Sequence, residues 1–182
     1  GFPTEVAVSE AGEATIAKHY AMGRLSVELA NVMPARKTAY ISNDGGNVGL
    51  FRFVADDEGD LGAGRLYAAK WVQTSDEGGS TATLDWIDLG HARDAEIGEL
   101  IARRTRFSDI FETAENGRAG ACPEGFLSSN AEGRAECLKV KPGMEVAASR
   151  LETLRYASML GATTEFRKME GTAYNPDRNS LY

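Results

Sequence analysis

Glu28-Leu29-Ala30-Asn31-Val32-Met33-Pro34-Ala35-Arg36-Lys37-Thr38-Ala39-Tyr40 is one stretch of this chain, and Glu170-Gly171-Thr172-Ala173-Tyr174-Asn175-Pro176-Asp177-Arg178-Asn179-Ser180-Leu181-Tyr182 is another. They align without a gap. Glu, Pro, Arg and Tyr coincide, and Thr38 faces Ser180. The shared pattern is a strand, a turn begun by proline, and a second strand that reaches an aromatic residue. Proline presets the first turn position, and aromatic and β-branched residues suit the strands on either side. The repeat predicts two copies of one hairpin.

Working outward from the first copy, the apolar runs Thr38–Ser42, Gly49–Val54 and Gly64–Val72 each have strand length. Turn-rich segments separate them at 34–37, 43–46 and 56–64. Four short strands joined by hairpins make an antiparallel meander over 28–72. A propeller blade is built this way, as are parts of barrels and sandwiches. With the second copy at 170–182, the pattern predicts a mainly β chain that is part of a β-propeller with antiparallel four-stranded blades. Residues 28–72 form one blade and 161–182 begin another. Residues 73–160 are read as a long insertion that holds a short strand at Thr83–Leu89 and two helices. One helix runs from an Asp94 cap through Ile97, Leu100 and Ile101. The other carries Pro142 in its first turn, shows Val146, Ala147, Leu151 and Leu154 on one face, and has Gly161 just beyond its end. Ile16 to Tyr20 is a short mixed strand. Propellers close with about four to eight blades, so the chain is expected to be a fragment of one propeller domain, with the remaining segments of that propeller as partners. A small self-contained α+β domain is the other reading, and it predicts a folded monomer.

Composition narrows the function. The 182 residues carry 27 acidic and 20 basic side chains, a net charge of −7. That argues against nucleic acid as a partner, because phosphate backbones are bound by basic faces. An acidic surface is compatible with divalent cations. No run approaches the ~20 apolar residues of a membrane span. The 20 glycines favour tight turns over long helices. Cys122 and Cys137 lie in a polar segment at a spacing that suits a disulfide closing a surface loop in an oxidising compartment, and does not suit zinc. Two unlinked thiols are the alternative.

The repeat places Glu28 and Glu170 at the same point, the start of a blade's first strand. Carboxylates that converge on a propeller axis are ligands for hard cations; ordinary strand-end hydrogen bonding is the plainer reading. Arg24 precedes Glu28 by four residues, and Arg167 and Lys168 precede Glu170. Such cations beside a metal cluster hold phosphoryl oxygens; an ion pair with the glutamate is the simpler role. Asn43-Asp44-Gly45-Gly46-Asn47 is an oxygen-rich loop or a turn. His19 and His91 lack metal-ligand spacing. No G-x-S-x-G, P-loop or H-E-x-x-H motif is present, which leaves nucleophilic triads unsupported.

The runs Met22-Gly23-Arg24-Leu25-Ser26-Val27-Glu28, Tyr40-Ile41-Ser42-Asn43-Asp44-Gly45-Gly46-Asn47-Val48-Gly49-Leu50-Phe51-Arg52-Phe53, Lys141-Pro142-Gly143-Met144-Glu145, Leu151-Glu152-Thr153 and Gly161 to Gly171 resemble the PhoX-type alkaline phosphatase family. The resemblance implies a β-propeller with calcium and iron at its axis. It also implies hydrolysis of phosphate monoesters and export to the periplasm or beyond. The family's Gly-Arg-Phe-Ser-His-Glu pattern falls on Gly23 to Glu28, with Val27 in place of the histidine. Its paired acidic residues fall on Asn43 and Asp44, which leaves one carboxylate. Its Arg-Pro-Glu-like motif falls on Lys168-Met169-Glu170. The resemblance thus makes Glu28, Glu170 and Asp44 the expected metal ligands and Arg24 and Lys168 the expected catalytic cations. Neither cysteine matches the family's iron-binding cysteine by context. A non-catalytic binding propeller is the second functional reading, favoured by the departures at 27 and 43.

Overall fold

A computed structural model describes residues 1–117 and 121–182. The chain opens with an antiparallel hairpin, β1 (Thr4–Val8) and β2 (Ala14–Lys18). A single 3-10 turn, Tyr20–Met22, leads into β3 (Val27–Val32). Next come β4 (Thr38–Asn43), a short β5 (Gly46–Val48), β6 (Leu50–Asp57), β7 (Asp60–Ser75) and β8 (Thr81–Arg93). The order β3-β4-β6-β7-β8 forms one five-stranded antiparallel sheet. The period-2 pattern sets its faces. Ile41, Phe51, Phe53, Leu66 and Ala68 point to one side and are fully buried. Each large side chain among them contributes about 1.5–3 kcal/mol by leaving water. Tyr40, Arg52 and Tyr67 alternate to the other side. There the Arg52 guanidinium lies 4.8 Å from the Tyr67 ring centre and 4.5 Å from that of Trp86.

A second layer follows: α1 (Asp94–Ala102), α2 (Phe107–Ile110), β9 (Phe111–Ala114), β10 (Leu127–Ser129), β11 (Glu136–Val140), α3 (Glu145–Leu151) and α4 (Thr153–Met159). Its strands pair in the order β10-β11-β9. Ile97, Ile110, Phe111, Leu138 and Leu151 fill a core of their own. Cys122 and Cys137 form a disulfide across a Cα–Cα distance of 5.4 Å, as the spacing predicts. Beyond it, β12 (Phe166–Arg167) pairs with β5, and β13 (Tyr174–Asn175) pairs with β14 (Ser180–Leu181).

The predicted repeat is visible in the pairing. Val32 faces Ala39 in the first hairpin, and Tyr174 faces Leu181 in the second, which are equivalent positions in the ungapped alignment. The mainly β, antiparallel reading holds. The described residues show one meander and a second hairpin, and no propeller closes among them. The meander also runs one strand further than expected. Thr81–Arg93, read as the start of the insertion, is the fifth strand of the sheet.

The segment read as an insertion holds more than two helices. Pro142 does not open a helix. Lys141-Pro142-Gly143-Met144 is a tight turn closed by a Met144 N–H to Lys141 O bond, with Gly143 at φ 77°, the arrangement of a type II turn with proline second and glycine third. The apolar stripe from Val146 to Leu154 is split at Glu152, whose backbone (φ −130°, ψ 45°) leaves the helix. Gly161 does sit past the helix end, where Gly161 and Ala162 donate to the carbonyls of Ser158 and Ala157. Asp94 is not the cap of α1 but its first residue, and its Oδ1 accepts instead from the Ala21 N–H at 2.6 Å.

Arg150 joins the layers. Its side chain is fully buried. It donates to Ala21 O at 2.6 Å, Gly90 O at 2.7 Å, Leu89 O at 3.4 Å and Gly64 O at 3.5 Å, and to Ser149 Oγ. Burial pushes its pKa down to about 10, which leaves it charged at neutral pH. Replacing Arg150 with Met should cost about 3 kcal/mol or more in urea unfolding, because buried carbonyls lose their donor. Arg150→Lys, which reaches fewer of them, should fall between. A loss below about 1 kcal/mol for Arg150→Met would place the junction elsewhere.

His19 ties the β1–β2 arm to the body. Nε2 lies 2.9 Å from Glu5 of β1, and Nδ1 lies 3.5 Å from Asp94 of α1. Asp94 and then Glu5 hold its pKa above the ordinary 6.5, against burial, which pulls it down. The stability gained is therefore complete below the unfolded-state value and is lost as pH rises through the folded-state value. Melting temperature should fall as pH rises above about 6.5, by an increment that disappears in His19→Gln. An increment that survives the substitution would assign the effect to another group.

Candidate functional site

Gly23 has φ 87°, and a Cβ there would meet Thr153 Oγ1 at 2.7 Å, so the chain passes close against the α3–α4 junction. The Arg24 N–H is held by Arg150 O at 2.8 Å and Thr153 Oγ1 at 3.1 Å. This fixes Arg24 at the mouth of a cleft of about 200 Å³ lined also by Ser26, Asn43, Glu132, Glu152 and Arg155. The break at Glu152 creates the cleft wall.

Glu152 is nearly buried and bridges two cations. Oε1 accepts from Arg24 at 2.6 Å, and Oε2 accepts from Arg155 at 2.7 Å. Arg155 also pairs with Glu136 at 2.7 Å and lies 5.3 Å from the Phe107 ring centre. Burial pulls the Arg155 pKa down, but the Glu136 and Glu152 carboxylates outweigh it and leave it raised. Arg24 differs. Its side chain is half exposed, and Glu152 is its one ion-pair partner among the described residues. The rest of its guanidinium fork remains open to an oxyanion.

Asn43 ends β4, opposite Val27. It is 2% exposed, and its Oδ1 has no hydrogen-bond partner. Asp44 leaves the strand with its N–H on Ser26 O at 2.9 Å. The Asn43 to Asn47 run is thus the end of β4, a bend at Asp44-Gly45 with Gly45 at φ 134°, and the start of β5. Lys168 Nζ stands 3.2 Å from Asp44 and 3.6 Å from Glu170. The Asp44 hydrogen bond, more than Glu170, raises the Lys168 pKa.

The structure therefore brings Asp44, Lys168 and Glu170 together and puts Arg24 in the adjoining cleft. Glu28 is exposed on β3, where the register with β4 slips between Val27 and Leu29, and it has no ion pair among the described residues. Bulges of this kind re-aim side chains. Sequence reasoning missed Glu152, Arg155 and the partnerless Asn43 oxygen. The one available signal was the Leu151-Glu152-Thr153 run.

Hard cations such as calcium take about six to eight oxygen ligands. Among the described residues no group of three His, Cys, Asp or Glu side chains is placed to hold one metal ion. Glu28, Asp44 and Glu170, with the Asn43 oxygen, do not make a complete shell for calcium or iron.

The described residues thus form an antiparallel β scaffold beside a polar cleft lined by Arg24, Arg155, Glu132 and Glu152. The comparisons give the family. A model described as alkaline phosphatase PhoX matches residues 1–182, the whole chain, and the chain belongs to that family. No curated protein and no solved structure matches it.

Glu152 holds the cleft together while opposing an anion within it. Glu152→Gln should lower stability by roughly 1–3 kcal/mol in urea unfolding and at the same time tighten binding of inorganic phosphate severalfold by calorimetry. A loss of both would mean that the carboxylate's positioning of Arg24 outweighs its charge.

Proposed function

We propose that the protein hydrolyses phosphate monoesters with the aid of bound cations. The observation that carries this reading is the half-open Arg24 guanidinium, held by its own backbone in a polar cleft, in a chain that belongs to the PhoX family. Arg24 takes two phosphate oxygens in the bidentate manner and stabilises the charge that grows on them in the transition state. Lys168 supplies a second cation from the neighbouring turn. Calcium and iron are the cations proposed, with Glu28, Asp44 and Glu170 as this chain's contributions. The further oxygen ligands such ions need would come from outside the described residues. When bound, the cations would supply charge neutralisation at the phosphate and an activated oxygen nucleophile.

The five-stranded sheet is proposed as one blade of a propeller and the β13–β14 hairpin as the opening of another. Their matched register supports this. The exposed Val6, Val8 and Ile16 on the β1–β2 arm, and the open edge of β3, support packing against further segments of the same propeller. The disulfide supports export to the periplasm or beyond. Among the described residues no helix is long and apolar enough to cross a membrane.

A second reading is a propeller that binds phosphate esters without turning them over. Lys168 already occupies the space between Asp44 and Glu170, and Val27 stands where the family has histidine, and both favour it. One experiment separates the two: elemental analysis of the purified protein alongside turnover of p-nitrophenyl phosphate. The phosphatase reading expects calcium and iron, reduced in Glu28→Gln, and a kcat/KM lowered about 10²–10³-fold in Arg24→Ala. A metal-free, folded protein that binds phosphate without turnover would establish the binding reading.

A further inference from the structure

The β1–β2 arm meets the body at its base. All ten of its strand residues are exposed. At the base the Leu25 N–H donates to Gly1 O at 2.8 Å, the His19 N–H donates to Pro3 O at 3.0 Å, and the Phe2 ring meets Tyr20 edge-on at 4.9 Å. Among the described residues no side chain from Thr4 to Lys18 forms a hydrogen bond or ion pair beyond His19. An apolar cavity of about 150 Å³ lies at this junction, lined by Pro3 and Thr4 from the arm and by Met22, Ala30, Val32 and Leu61 from the body.

The His19 ring braces the arm across that junction. It is buried, and its two nitrogens face carboxylates on different elements: Nε2 lies 2.9 Å from Glu5 of β1, and Nδ1 lies 3.5 Å from Asp94 of α1. Glu5 belongs to the same hairpin, so Asp94 completes the bridge to the body. Asp94 is itself fixed there by the Ala21 N–H. A carboxylate only accepts. An imidazolium donates from both nitrogens, whereas a neutral imidazole donates from one and presents a lone pair at the other. In either neutral tautomer one carboxylate faces a lone pair, and one link of the brace is lost. Among the described residues the other elements at the junction offer no titratable group to take over. β3, β7 and the Tyr20–Met22 turn present Ala30, Val32, Leu61 and Met22, and Lys18 beside the histidine makes no ion pair.

We propose that His19 is a proton-operated brace that holds the β1–β2 arm against the body when charged and releases it to swing about the Pro3–His19 backbone pair when neutral. Release opens the apolar cavity at the junction to solvent while the two layers of the body stay folded, a local opening rather than a global one. Both carboxylates favour the charged ring. The arm is therefore closed at low pH and opens as pH rises. This inference does not depend on the phosphate-ester reading.

Spin labels on Glu10→Cys, in the exposed turn of the arm, and on Glu58→Cys, in the exposed β6–β7 turn, report the arm's position through their distance distribution. The distribution should be narrow at about pH 5.5 and gain a broad component as pH rises towards about 9. The open-to-closed ratio should grow by up to about tenfold per pH unit, the limit for release of one proton. Glu5→Ala, at an exposed strand position, removes one link of the brace and should show the broad component at every pH. Far-UV circular dichroism at each pH reports whether the body remains folded. A distribution that stays narrow throughout, a pH response that persists in Glu5→Ala, or broadening that coincides with global unfolding would overturn the proposal.

Discussion

A guanidinium with no carboxylate beside it holds this structure together. Arg150 brings a full charge into the interior and satisfies it with backbone carbonyls from the Tyr20–Met22 turn, from β7 and from the end of β8. Burying a charge this way is costly unless every donor finds an acceptor. The planar fork of arginine is the side chain able to reach carbonyls on three elements at once. The same residue's carbonyl receives the Arg24 N–H. One residue thus locks the helical layer onto the sheet and sets the position of the cleft's exposed cation.

The cleft follows from that junction. α3 must stop where Arg150 and Leu151 enter the core, and the chain turns at Glu152 before α4 begins. The turn frees the Glu152 carboxylate to face outward, where it collects Arg24 and Arg155. The pairing is asymmetric in consequence. Arg155 is fully committed, to two carboxylates and an aromatic face. Arg24 gives up one edge and keeps the rest. The ion pairs of Glu152 and Arg155 thus fix one wall of the cleft, while the Arg24 side chain stays half exposed.

Much of the sheet was legible because its side chains obey one rule. Ile41, Phe51, Phe53 and Leu66 fall on alternate positions between turn signals, and the structure buries each of them. The hairpin repeat was legible for the same reason, since proline and the flanking strands fix register locally. The spacing of Cys122 and Cys137 favoured the disulfide over unlinked thiols, and the structure forms it. The second layer was not, because its determinants are long-range. Nothing near Arg150 in sequence announces a buried cation, as its partners lie about 60 to 130 residues away. Asp94 looks like a helix cap, yet its carboxylate is claimed by Ala21 across the fold. The break at Glu152 lies within an unbroken apolar stripe. Of the residues singled out from sequence, Asp44, Lys168 and Glu170 lie together and Arg24 lines the cleft, while Glu28 has no ion pair among the described residues. The cleft that gives Arg24 its setting was not legible, because Glu152 and Arg155 acquire meaning only through tertiary contacts.

Two features of the acidic turn bear differently on cation binding. Lys168 stands between Asp44 and Glu170, but it is exposed, and exposed ion pairs contribute little. Such an ammonium competes with a divalent cation for those carboxylates, though weakly. Asn43 is another matter. Its amide is buried and cannot ionise, and where the resembling family carries a second acid this chain offers a neutral oxygen. A cation placed there would meet one charge fewer and bind less tightly for that reason. The same exchange relieves the repulsion a buried carboxylate would exert on an incoming phosphate.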